Sequence, residues 1–112
     1  MSLREIPASE WRSFLEKLGR EHRAWLVTVD RAGRVEVREQ PLQSIVADAG
    51  IDIRFDNEVI HVDEPRSVRV EETEEGATEA LQIDDGADAR VTLRFRVAVA
   101  PGALDGLAPG EL

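Results

Sequence analysis

The chain has 112 residues, a formal net charge of -9 and no cysteine. This length fits one domain with a single core, and the lack of cysteine excludes disulfides, thiol nucleophiles and thiolate metal sites. The excess of carboxylates disfavours nucleic acid and anionic membranes as partners, and no apolar run approaches the roughly 18 residues of a membrane span. We therefore expect a cytoplasmic protein that binds neither nucleic acid nor a membrane.

The first predicted element is an amphipathic helix from residue 8 to about residue 22. Its apolar residues follow the i, i+3, i+4, i+7 spacing of one helical stripe: Trp11, Phe14, Leu15 and Leu18. Gly19 is expected either to end the helix as a left-handed cap or to weaken its last turn. We expect Trp11, Phe14 and Leu18 to be buried against the inner face of a sheet.

From Trp25 onward, apolar residues alternate with polar ones, which is the period of a β-strand with one buried face. The longest alternating segment, residues 89–99, is predicted to be a strand at the centre of the core. If apolar residues of successive strands face each other, the turns define the register. The predicted pairs are Val29–Val35, Ile45–Ile53, Ile53–Ile60, Ile60–Val70, Val70–Leu81 and Leu81–Val91.

The resulting fold class is α+β, with an N-terminal amphipathic helix followed by an antiparallel meander of about eight short strands. One helix is about 10 Å wide, and strands lie about 4.8 Å apart, so a single helix cannot cover eight flat strands. We therefore expect a strongly curled or barrel-like sheet. Residues 1–106 are predicted to form the domain, and residues 107–112 a loose C-terminal tail.

Several short motifs have a familiar arrangement along the chain. They are Ile6-Pro7 with Glu10-Trp11 and Phe14-Leu15, Glu21-His22-Arg23 before Trp25-Leu26-Val27, Asp63-Glu64-Pro65 before Val68, Glu74-Glu75-Gly76, and Leu93-Arg94-Phe95. Together they resemble a bacterial family of short single-domain proteins known as a domain of unknown function. The resemblance covers the chain to about residue 106 and implies a bacterial domain, but it implies no activity, cofactor or catalytic residue.

His61 is the first candidate for a polar surface site. A two-residue turn at Asp56-Asn57 places His61 directly opposite Asp52 on the outer face, with Asp63 two residues further on. Two carboxylates and an imidazole can orient a general base or hold a divalent metal. A surface ion pair is the favoured alternative, because no second histidine stands at ligand spacing and an open metal site needs three protein ligands.

His22 is the second candidate. It follows Leu18 by four residues on the helical stripe and precedes Trp25. We interpret it as a histidine at the edge of the core that is satisfied by the backbone, with a functional role as the alternative. The sequence leaves open whether His22 and His61 meet in one site.

Carboxylates are concentrated at two turns, residues 71–75 and 84–88. Neither turn has the twelve-residue pattern of a calcium loop, so solvated turns are expected. Acidic loops that dock an arginine-rich partner are the alternative.

These observations favour a non-catalytic binding or assembly domain that acts through self-association, preferably as a homodimer, or through a protein partner. The alternative is a barrel that holds a small apolar ligand in its mouth. An enzyme ranks third, because the chain has no phosphate-binding glycine-rich loop and no serine in a nucleophile elbow. We assign no catalytic, cofactor-binding or metal-binding residue and expect no cofactor. A free strand edge would favour the partner, and a large apolar cavity would favour the ligand.

Overall fold

The structure is a computed structural model that describes residues 2–87 and 89–96. The elements in these ranges are β1 Ser2–Ile6, a short 3-10 helix Ala8–Glu10, α1 Trp11–Glu21, β2 Leu26–Arg31, β3 Arg34–Asp48, β4 Gly50–Phe55, β5 Val59–Val62, β6 Ser67–Glu72, β7 Thr78–Asp84 and β8 Arg90–Arg96. The predicted α+β class and the antiparallel arrangement are confirmed. The predicted tail, and residues 97–99 of the predicted last strand, lie outside the described residues.

The strands form one sheet in the order β1-β6-β7-β8-β2-β3-β4-β5, and every neighbouring pair is antiparallel. Two meanders, β2–β5 and β6–β8, meet where β8 pairs with β2. The prediction of a strongly curled or barrel-like sheet is wrong, because β1 and β5 end the sheet and no ladder joins them in the described part of the chain.

Strand β3 explains how an open sheet still covers its core. Residues 34–41 pair with β2, whereas residues 42–48 pair with β4, and both ladders contain register shifts. Glu39, within the half that pairs with β2, has a φ of 48°. Bulges bend the strand that carries them. Arg31 of β2 donates through Nη2 to the carbonyl of His61 in β5 at 2.8 Å, although two strands lie between them in the sheet. One local bend therefore brings the β4–β5 hairpin back towards β2.

The core contains apolar side chains from every strand and from α1. Val91 and Leu93 of β8 are completely buried, and β8 lies in the middle of the sheet, as the alternation predicted. On α1, Leu15 and Leu18 are buried. Trp11 and Phe14 are only half-buried, so the expectation of full burial is wrong for these two residues. They pack against the margin of the core cluster.

Gly19 neither ends nor caps the helix, which continues to Glu21. Gly19 is buried, and a Cβ placed on it would lie only 2.8 Å from the backbone nitrogen of Ile45. The absence of a side chain thus allows α1 to approach the backbone of β3 directly. The predicted helix from residue 8 to about residue 22 is confirmed, and of the two roles considered for Gly19, the terminus is wrong. Packing against β3 outweighs the low helix propensity of glycine.

The predicted register is confirmed within three hairpins: Ile45 pairs with Ile53, Ile53 with Ile60, and Val70 with Leu81. The prediction of a hairpin between β5 and β6, with Ile60 opposite Val70, is wrong. Strand β6 instead pairs with β1 and β7. The sequence did not reveal β1, because this edge strand buries one residue and shows no alternation.

Two other predicted pairs are shifted. Val29 faces Val37 instead of Val35, because the β2–β3 turn contains only Ala32 and Gly33, and a bulge after Val29 restores the apolar face. Val35 is therefore 46% exposed.

At the β7–β8 turn, Leu81 faces Leu93 instead of Val91. Strand β7 extends to Asp84, which pairs with Arg90, so the turn is longer than expected. Because the shift is two residues, the apolar face is kept.

Candidate functional site

The two edge strands of the sheet differ in how well their backbones are covered. Phe55 donates its N–H to the carbonyl of Glu58 at 2.9 Å. Hydrogen-bonded and non-hydrogen-bonded pairs alternate along an antiparallel ladder, so Asp52 and His61, three pairs further on, form a non-hydrogen-bonded pair. The backbone of His61 therefore points away from β4, and its carbonyl accepts the bond from Arg31 Nη2. The carbonyl that follows β5, of Asp63, accepts from the N–H of Gly86 at 3.4 Å. The β5 edge is thus only four residues long, and bonds from Arg31 and Gly86 cover the carbonyls at its C-terminal end.

The opposite edge, defined here as the β1 edge (residues 2–6), is open. All five residues pair with β6 in one continuous register without a bulge, and four of them are exposed. Leu3 is 53% exposed. Only the end of the strand is covered, where Trp11 Nε1 donates to the carbonyl of Ile6 at 2.8 Å. Among the described residues, no strand pairs with the outer side of β1.

The charged side chains of the β1 edge have partners within the same molecule. Arg4 Nη2 lies 3.4 Å from a carboxylate oxygen of Glu72, and its guanidinium lies 5.7 Å above the ring of Phe14. On the other face, Glu5 lies 3.9 Å from Arg69. A cleft of about 270 Å³ opens beside Arg4, between α1 and the β6–β7 turn. These contacts hold β1 in place and leave Leu3 as its exposed apolar side chain.

The structure confirms that His61 lies opposite Asp52. The Nδ1 atom of His61 lies 2.5 Å from Asp52 Oδ1, and its Nε2 atom lies 3.9 Å from Asp63 Oδ1. Arg54 Nη2 also lies 3.9 Å from the second oxygen of Asp52. About half of the His61 side chain is exposed, and Asp63 is largely exposed. These residues form a polar cluster on the surface.

The chemical capacity of this cluster is limited. Within residues 2–87 and 89–96, no group of three His, Cys, Asp or Glu side chains is arranged to hold a metal ion. Asp52 can orient the imidazole of His61 as a base, but the ring packs over Gly50, where an added Cβ would lie 2.9 Å from Cε1. Gly50 also borders a cleft of about 380 Å³ that is lined by Trp11, Arg12 and Pro65 among others. The side chains of Trp11, Arg12 and Pro65 contain no hydroxyl or thiol that could act as a nucleophile.

His22 lies at the C-terminal end of α1 and is 7% exposed. Its Nδ1 atom lies 2.8 Å from the carbonyl of Leu18. The ring packs edge-on against Trp25 at 4.5 Å and lies 4.9 Å from the ring of Phe95. The structure thus places His22 in the core beside β8, whereas His61, Asp52 and Asp63 meet on the outer face of β4 and β5.

The acidic turn after β7 contains a cluster that the sequence analysis missed. Asp84 accepts hydrogen bonds from Ser67 Oγ at 2.8 Å, Arg69 Nη1 at 3.3 Å and Arg90 Nε at 2.9 Å. The bond from Arg90 lowers the pKa of Asp84 below its usual value, and the Ser67 hydroxyl and the Arg69 cation act in the same direction, against the effect of burial. The sequence would have predicted this cluster if the longer β7–β8 turn had been assumed, because that turn places Asp84 opposite Arg90.

Asp85, next in the chain, is 7% exposed, and its Oδ1 accepts the backbone N–H groups of Ala87 and Ala89, both at 2.9 Å. These two carboxylates therefore organise the turn. Asp88, also part of the predicted acidic turn, lies outside the described residues.

No helix in the described ranges is long and apolar enough to cross a membrane. Comparison of the chain with protein-family models, with curated proteins and with solved structures found no match.

Proposed function

We propose that this chain is a non-catalytic binding or assembly domain, and that it accepts a β-strand of a protein partner along the β1 edge. The observation that supports the proposal is the contrast between the two edges of the sheet. The β5 edge is shorter, and Arg31 and Gly86 occupy the carbonyls of His61 and Asp63 at its end. The β1 edge is regular, exposed and without a strand on its outer side in the described residues.

An open edge presents a row of backbone N–H and C=O groups, which is the surface that strand addition uses. Natural proteins usually block such an edge with a bulge, a proline or an inward-pointing charge. Residues 2–6 contain no proline and no bulge. Arg4 lies on the same face as the buried Ile6, but its charge is paired with Glu72, and Glu5 lies near Arg69. The strand is also ordered before binding, which lowers the entropic cost of adding a partner.

The alternative, a barrel that holds a small apolar ligand, has no support in this sheet. The sheet is open, and its inner face is filled by the side chains of the core cluster. The clefts beside Arg4 and beside Arg12 are lined by charged as well as apolar residues.

The proposal is tested with an extended synthetic peptide of alternating threonine and valine, acetylated and amidated at its ends. We expect saturable NMR shift changes and slowed amide exchange at residues 2–6, because the main chain supplies most of the affinity in strand addition. The control is the same peptide N-methylated at alternate residues, which removes hydrogen-bond donors on one edge. Shift changes centred on β5, or none at the highest soluble peptide concentration, would refute the proposal.

A further inference from the structure

We infer that the strand accepted by the β1 edge is β1 of a second copy of this chain, antiparallel and in the register that places Leu3 opposite Leu3 of the partner subunit. This inference rests on the proposed function, and it adds the identity of the partner and the register of the contact. The result is a symmetric dimer in which the two sheets become continuous.

Symmetry limits the registers that two copies can adopt. An antiparallel edge-to-edge pair is related by a two-fold axis perpendicular to the sheet, so each residue must face one on the same side of the sheet. The axis then passes through a residue that faces its own copy. Within β1, the axes that leave at least three residues of each strand paired pass through Leu3, Arg4 or Glu5.

The side chains distinguish between these three registers. An axis through Arg4 places two guanidinium groups directly opposite each other, and an axis through Glu5 does the same with two carboxylates. Like charges directly opposite each other destabilise a strand pair. An axis through Leu3 instead joins two apolar side chains that are each 53% exposed in the single chain, and it places Ser2 opposite Arg4 of the partner subunit. The Leu3 register therefore removes exposed apolar surface without creating a like-charge pair.

The net charge of -9 predicts how this dimer responds to salt. Two acidic chains repel each other over a distance of about 30 Å at ~0.01 M salt but only about 8 Å at ~0.15 M. Among the described residues paired in the Leu3 register, residues 2–4, no opposite charges lie directly across from each other, so salt has no cross-strand ion pair to weaken there. Association through this register should therefore become stronger as salt rises, whereas an interface held by ion pairs would become weaker.

The test uses the substitution Leu3→Lys. In the single chain, a lysine at this position lies opposite Glu71 of β6, which favours the folded strand. In the dimer, it faces a second lysine. We expect sedimentation velocity over a wide range of concentration to show a reversible dimer for the wild type, and a dissociation constant raised about tenfold or more for Leu3→Lys.

The matched control is Val59→Lys. Val59 lies on the other edge strand and is also 53% exposed, and this substitution makes the same change in net charge. It should leave the dimer unchanged. A mixture of Leu3→Lys with Leu3→Glu should restore association, because opposite charges then face each other across the axis. Restoration also shows that both variants are folded.

A wild-type chain that stays monomeric at every concentration and salt overturns the second copy as the partner. So does a dimer that Val59→Lys weakens as much as Leu3→Lys, or a mixture that fails to associate. If the threonine-valine peptide nevertheless binds residues 2–6, the strand-addition function stands and only the partner is wrong. If that peptide also fails, both proposals fall.

Discussion

The substitution Gly19→Ala has two opposing effects on stability, one through helix propensity and one through the contact between α1 and β3. Replacing glycine by alanine inside a helix is worth about 1 kcal/mol in helix propensity. In this structure, however, the added methyl group would lie 2.8 Å from the backbone nitrogen of Ile45, and it would meet the backbone of Ser44 at 3.5 Å. Because the neighbour is backbone, it cannot rotate away, and α1 has to move.

Overpacking of this kind costs typically about 1 to 3 kcal/mol. A displaced α1 also loosens the contacts of Leu15 and Leu18, which are buried. After the gain in helix propensity is subtracted, we expect Gly19→Ala to lower the free energy of unfolding by up to about 2 kcal/mol. Urea unfolding followed by the fluorescence of Trp11 and Trp25 measures this change.

The control is the exposed neighbour Arg20, replaced in turn by Ala and by Gly. The difference between these two variants gives the propensity term in the same helical turn, without contact to β3. If Gly19→Ala raises the free energy of unfolding by as much as Arg20→Ala exceeds Arg20→Gly, the inferred close approach of α1 to β3 is wrong.

Three further substitutions test the core, the acidic turn and the surface cluster. Leu15→Ala should cost about 2 to 5 kcal/mol in unfolding free energy, and Phe14→Ala should cost about 2 kcal/mol because its ring is only half-buried; equal losses would contradict these positions. Asp84→Asn should lower stability by about 1 kcal/mol near neutral pH. Because Arg90 lowers the folded-state pKa of Asp84, this stability is present above the unfolded-state pKa and is lost as pH falls through the folded-state value. The variant should therefore lose less stability in acid than the wild type, and urea midpoints across the acid range decide this. His61→Asn should change stability by less than about 1 kcal/mol and leave self-association intact; a lost dimer in sedimentation would show that the surface cluster takes part in it.

The sequence alone determined the features that depend on local spacing. The helical stripe predicts α1, and the turns at Asp48–Gly50 and Asp56-Asn57 give the registers of β4 with both of its neighbours. The position of His61 opposite Asp52 follows from the second of these turns. These features were predictable because a short turn and a period of two leave only one register that keeps apolar residues on one face.

The tertiary structure decided which distant segments meet. Strand β1 carries one buried residue, so no periodicity marks it, and only the presence of β6 beside it makes it a strand. The bend in β3 and the hydrogen bond from Arg31 to β5 depend on contacts between strands that are not neighbours in the sheet. The reason for a glycine at position 19 follows only from the backbone of β3 that lies against it. Turn chemistry and periodicity act over a few residues, whereas the β1 edge results from long-range pairing, which in the described residues joins β1 to β6 alone.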